Sequence, residues 1–200
     1  MSLPPAGEAG GKKTIFSQIT YDWQNSTEGW VSGGNCNLTA QPDAMAMRLF
    51  SSNAVMRSGN LQSNLGINGG DYNQVQVMIK NPTTGSAMAR LFLYPPGTNT
   101  AACYYAFQVD TAMSGFSTYT IFLDSLPTGG SSTPYTGPIA RFGLRAPWGG
   151  VNFDTIYWKQ MIISNTNQVI DSANITFKVD MGQVADPFSA PEVNGTFNSW

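Results

Sequence analysis

The chain contains no histidine, and only 11% of its 200 residues are charged. The first absence removes Ser-His-Asp and Cys-His nucleophile systems and the usual imidazole-ligated catalytic zinc. The second sets it apart from average soluble proteins, which carry about 25%. Helical proteins spend Glu and Lys on exposed faces, whereas this sequence has 21 Gly, 12 Pro and abundant Ser, Thr and Asn. That composition points to an all-β chain. Ten basic residues against twelve acidic ones give a formal net charge of -2. No basic stripe runs along the sequence, which argues against nucleic acid as a partner. No apolar run approaches the roughly 20 residues of a membrane-spanning helix, so membrane insertion is not expected. The opening MSLPPAGEAGGKK lacks the apolar core of a signal peptide and reads as a leader or linker over residues 1–13. Cys36 and Cys103 are the only cysteines. They allow one disulfide closing a long loop, or two buried thiols.

What is present is alternation. Thr14 to Trp23 reads as a first strand, followed by a turn at Asn25-Ser-Thr-Glu-Gly. Further strands are expected at Cys36 to Ala40, Ala44 to Phe50 and Asn53 to Ser58. Tyr72 to Lys80 is the clearest, with Val75, Val77 and Ile79 on one face and Gln74, Gln76, Met78 and Lys80 on the other. Ala87 to Tyr94, Ala101 to Asp110 and Thr118 to Asp124 continue the pattern before a Gly/Ser/Thr/Pro-rich loop from Pro127 to Pro138. Two apolar rows then flank a Pro-Trp-Gly-Gly bend: Ala140/Phe142/Leu144/Ala146, and Ile156/Trp158 with Ile162. They read as a pair of strands closing a sandwich. Short strands with turns between them, and no helical period, predict an antiparallel β-sandwich over 14–164. The alternation fades into a linker at 165–173. A new strand follows at ITFKVDM, and residues 174–200 read as the truncated start of a second β module.

The twelve acids are scattered, with no closely spaced Glu pair to serve glycoside hydrolysis, so catalysis is not expected of this chain. Binding is the better reading. Sugars stack an axial C–H face on aromatic rings and pair their hydroxyl rim with polar side chains. By alternation, Gln74, Gln76, Arg90, Phe92, Tyr104, Gln108, Arg141, Arg145, Tyr157 and Lys159 form one such face. From these, Arg90, Tyr104, Arg141, Arg145 and Tyr157 are the candidate carbohydrate-binding residues, together with Trp148 at the bend. The bland alternative is a wet sheet face, with Trp148 plugging the sandwich edge. Trp23, Trp30 and Trp158 sit in apolar rows and are assigned to the core. Asp22, Gln24 and Asp154 offer oxygen ligands on the first and last strands, neighbours in many sandwiches, so one structural calcium ion is a further candidate.

These residues carry a resemblance. YDWQNSTEGW, QVQVMIKN, FSTYTIFL and IARFGLRAPWGGVNFDTIYWKQMII, in that order, resemble the galactose-binding-like jelly roll of secreted carbohydrate-binding modules. The resemblance spans roughly Thr14 to Ser164. It implies a calcium ion shared by Asp22 and Asp154, although Gln24 stands where relatives commonly have Glu. The tail ITFKVDMGQVADPFSAPEVNGTFNSW resembles the start of starch- or glycogen-binding-like modules, which implies a sugar-stacking role for Trp200. The tandem is similar to the non-catalytic portions of bacterial laminarinase-like polysaccharide hydrolases, whose catalytic Glu-x-Asp-x-x-Glu segment is absent here. The expectation is a secreted, monomeric, non-catalytic module that brings an appended enzyme or a cell surface to a polysaccharide. A structural spacer without sugar binding, and a β-sandwich lyase using Tyr and Arg, stay open beside it.

Overall fold

A computed structural model describes residues 18–166. All of them belong to the first of the two units into which the chain divides, Met1–Gln168. The expected leader, most of the linker and the second module with Trp200 lie outside the described residues.

Among the described residues thirteen strands form, beginning with β1 (Ile19–Asp22), β2 (Val31–Gly34), β3 (Cys36–Ala40), β4 (Met45–Leu49) and β5 (Val55–Arg57). After the short β6 (Ile67–Asn68) come β7 (Gln74–Lys80), β8 (Met88–Tyr94), β9 (Cys103–Gln108) and β10 (Ser117–Phe122). The last are β11 (Pro138–Ile139), β12 (Arg141–Arg145) and β13 (Thr155–Ser164). Among the described residues there is no α-helix, only a 3-10 turn at Gly69–Asp71.

Two antiparallel sheets face one another across a single core. One has the order β10, β7, β13, β4, β3, with β1 beside the second half of β13; the other runs β2, β5, β12, β8, β9. Their inner faces are set by period-two alternation. Val75, Val77 and Ile79 of β7 and Met45, Met47 and Leu49 of β4, with β13 between them, line the inner face of the first sheet, and Leu91, Leu93, Phe142 and Leu144 line the second; all are fully buried. Trp23, Trp30 and Trp158 lie in this core, as expected. Trp23 and Trp30 pack edge to face, ring centroids 5.0 Å apart.

The closing region differs from expectation in two ways. β12 and β13 do not pair with each other but belong to opposite sheets, so the bend between them crosses the sandwich. Within β13 the register shifts between Trp158 and Gln160. Such a bulge inserts one residue and inverts the alternation beyond it. Met161 and Ile163 therefore turn inward, while the expected Ile162 is only half-buried.

Cys36 and Cys103 are both free and buried, on strands of different sheets. The Cys36 thiol donates to the Val55 carbonyl at 3.3 Å. Burial pushes the Cys103 thiol up to about 11, against a smaller opposing effect of Tyr105, and raises Cys36 in the same direction. Neither thiol is then an effective nucleophile at pH 8. Native protein is expected to resist iodoacetamide there and to react fully once unfolded in urea, which mass spectrometry reads directly. The native state also holds the Cys103 proton more tightly than the unfolded chain, whose thiol titrates near its ordinary value of 9.0. Its contribution to stability is complete below that value and is lost as pH rises through about 11.

Candidate functional site

The outer face of the five-stranded sheet gathers polar and aromatic side chains into three rows crossing the strands. Residues directly opposite on neighbouring strands project to the same side. In the central row Arg57 of β5 pairs with Gly143 of β12, Gly143 with Phe92 of β8, and Phe92 with Tyr104 of β9. One row along, Arg145 lies between Val55 and Arg90, and Arg90 faces Ala106. On the other side Arg141 faces Tyr94. Rows lie about 7 Å apart and strands about 4.8 Å apart.

The rings form a continuous line. Phe92 sits 5.6 Å from Tyr104 and 6.1 Å from Tyr94, centroid to centroid. Guanidiniums lie against both ends: Arg90 is 4.6 Å from the Tyr104 centroid, and Arg57 and Arg141 are 5.0 Å and 5.3 Å from that of Tyr94. Glycines make this packing possible. A Cβ on Gly143 would come within 2.7 Å of the Tyr94 ring, and one on Gly33 within 3.2 Å of the Arg57 guanidinium. Tyr104 likewise rests on Gly129 of the loop after β10.

The arginines differ in access. Arg141 is 1% exposed; its guanidinium donates to Asn99 Oδ1 at 3.2 Å and to the Thr98 carbonyl, holding the loop after β8. Arg57, Arg90 and Arg145 are half-buried, as are Phe92 and Tyr104. Burial and then the nearby Arg57 lower the Arg141 pKa from its ordinary value, with Tyr94 opposing. Burial and then Arg90 do the same to Arg145, with Tyr104 opposing.

Of the expected binding residues, Arg90, Tyr104, Arg141 and Arg145 are thus brought together on one face, with Arg141 at its floor. Tyr157 and Lys159 belong to β13, and Gln74 and Gln76 to β7, all in the opposite sheet. There Lys80 stacks on Tyr157 at 4.5 Å. The single face expected from alternation is therefore two faces. Trp148 follows β12, half-buried against the core, and its carbonyl accepts from the Ser86 N–H at 3.1 Å. Arg57 and Tyr94 complete the face and were not among the expected residues. β5 is only three residues long, and nothing short of its register beside β12 reveals where Arg57 points.

The residues expected to share calcium do not converge. Gln24 donates its amide to both Asp22 carboxylate oxygens, at 2.9 Å and 3.1 Å. β1 does run beside β13, but Asp22 pairs with Gln160, six residues along from Asp154 and so about 20 Å away. These three residues do not fit one ion.

The architecture is shared with solved structures at low sequence identity. A family 11 carbohydrate-binding module from Clostridium thermocellum, in complex with a β-1,3-1,4-mixed-linked tetrasaccharide, is 12% identical, with a TM-score of 0.50 over 76% of this chain and 98% of that one. An arabinose-bound α-L-arabinofuranosidase is 13% identical, with a TM-score of 0.53 over 76% of this chain but only 27% of that one. A low-affinity xylan-binding module from Roseburia intestinalis is 14% identical over 74% of this chain and 96% of that one, with a TM-score of 0.46. No protein-family model matches the chain, and no curated protein does. At these identities the likeness is one of fold: an antiparallel β-sandwich of the kind used by carbohydrate-binding modules.

Proposed function

We propose that the outer face of the five-stranded sheet binds polysaccharide and that the chain acts as a non-catalytic carbohydrate-binding module. The observation that carries this reading is the central row, in which the half-buried rings of Phe92 and Tyr104 lie beside guanidinium donors. A pyranose matches such a row, its C–H face on the rings and its hydroxyls accepting from the arginines. The family 11 module of the same fold, holding a tetrasaccharide, supports the reading. The role is to hold an appended polysaccharide-degrading enzyme, or a cell surface, close to the glycan by raising effective concentration. An extracellular location follows from that role. Affinity electrophoresis and calorimetry against β-glucans, xylan, mannan, alginate and starch provide the test. Binding to at least one is expected; no binding to any, with the protein shown folded by circular dichroism, overturns the proposal.

A further inference from the structure

We infer that this face selects an anionic polysaccharide, one whose sugars bear carboxylate or sulfate groups, and that Arg90 and Arg145 are the paired guanidiniums that receive the charge. The inference rests on the proposed glycan-binding role of the same face.

Charge distribution is the first support. Four of the chain's five arginines stand on the outer-face positions of this sheet, and its five strands contain no Asp or Glu. A chain of formal net charge -2 thus gathers on this face three half-buried guanidiniums, Arg57, Arg90 and Arg145, over the buried Arg141, with no acid on the strands that carry them. The second is a placement that stability alone disfavours. Arg90 and Arg145 are directly opposite on neighbouring strands, where like charges destabilise a sheet. The third is unused donor capacity. Among the described residues the guanidiniums of Arg57, Arg90 and Arg145 donate no hydrogen bond; their Nε atoms are buried, and the half-buried side chains leave the terminal Nη donors for a ligand.

Arginine only donates, so acceptors must come from the ligand. A sugar hydroxyl meets one donor and leaves the repulsion in place. A carboxylate or sulfate takes two parallel N–H bonds from a guanidinium and cancels the charge between the pair. The rings of Phe92 and Tyr104, one row away, give the sugar carrying that group a surface to lie on. Arg57 stands at the far end of their row, able to meet a second charged residue of the same chain.

The test compares matched glycans by calorimetry on the whole chain. Polygalacturonate is set against its carboxyl-reduced neutral form, and a sulfated galactan against its desulfated form, which separates the two sources of charge. At least one charged form is expected to bind about tenfold or more tightly than its neutral twin. That preference should shrink as salt is raised to about 0.5 M. Arg90→Thr combined with Arg145→Thr is expected to abolish the preference, while the urea midpoint stays equal or rises as the like charges are removed. Arg145→Gln alone gives the same readout should the double variant fold poorly. Equal affinity for charged and neutral twins overturns this inference and leaves the glycan-binding reading standing. Binding to single-stranded DNA without discrimination among glycans overturns it too. Binding to no glycan at all, by folded protein, removes the reading on which it rests.

Discussion

Trp158→Ala is expected to lower the stability of the sandwich by about 3–5 kcal/mol, the range for truncating a large buried aromatic. Trp158 is fully buried and stands in β13 where that strand is held on both sides, opposite Met45 of β4 and Ile79 of β7. The void would open between the two sheets and just before the β13 bulge, where the backbone has little freedom to collapse inward. Native domains have only about 5–15 kcal/mol in total, so much of the chain would be unfolded on modest heating. The indole Nε1 has no hydrogen-bond partner among the described residues, so Trp158→Phe gives up volume without orphaning an acceptor and should cost far less. Urea denaturation of both variants measures the difference. A loss below about 1 kcal/mol for the alanine variant would show that Trp158 does not hold the core together.

Phe92→Ala is expected to weaken glycan binding by about 10- to 100-fold, or roughly 1.4–2.8 kcal/mol, as for an aromatic at the centre of a binding surface. Phe92 is the middle member of the ring line, flanked by Tyr94 and Tyr104, and it faces the smallest residue of the row, Gly143. The Tyr94 ring fills the space over Gly143 and is buried, so Phe92 and Tyr104 are the rings of this line left for a sugar. The ring is half-buried, so its removal should cost the fold less than any core truncation, and binding and stability can be read separately. Tyr157→Ala serves as the control. That ring lies on the opposite sheet, against Lys80, and its loss should leave affinity unchanged. Calorimetry with the best glycan decides between the faces: an effect of Tyr157→Ala equal to that of Phe92→Ala would move the site to the other sheet.

Alternation accounts for how much could be read in advance. In β7 every second residue is apolar and burial follows that pattern from end to end; in β8 it does so as far as Leu93, after which the outward Tyr94 is buried too, under Arg57 and Arg141. The same signal placed Phe142 and Leu144 in the core and Arg145 on the outer side. It failed at β13, where one bulge exchanges the roles of Ile162 and Ile163. A bulge is a property of two paired strands, and one strand's pattern does not contain it. Arg141 shows another limit. Alternation put it on the outward side, correctly, but Asn99 and Thr98 of a neighbouring loop close over it, which leaves it buried.

By itself, the sequence determined the all-β class, the inward rows of the long strands, the three core tryptophans, and the absence of histidine-based chemistry. These follow from composition and from a period of two that each strand carries locally. Only the tertiary structure decided which strands share a sheet. Arg57, Arg90, Arg141 and Arg145 are spread over 89 positions of the sequence and give no basic run, yet three adjacent strands set them on one face. Tyr157 and Lys159 follow Arg145 closely in sequence but sit across the sandwich, because the connection between β12 and β13 crosses from one sheet to the other. Period-two patterning tells a side chain whether to face the core or water. Strand order decides which of the two water-facing surfaces it joins, and strand order comes from long-range pairing that no local pattern encodes.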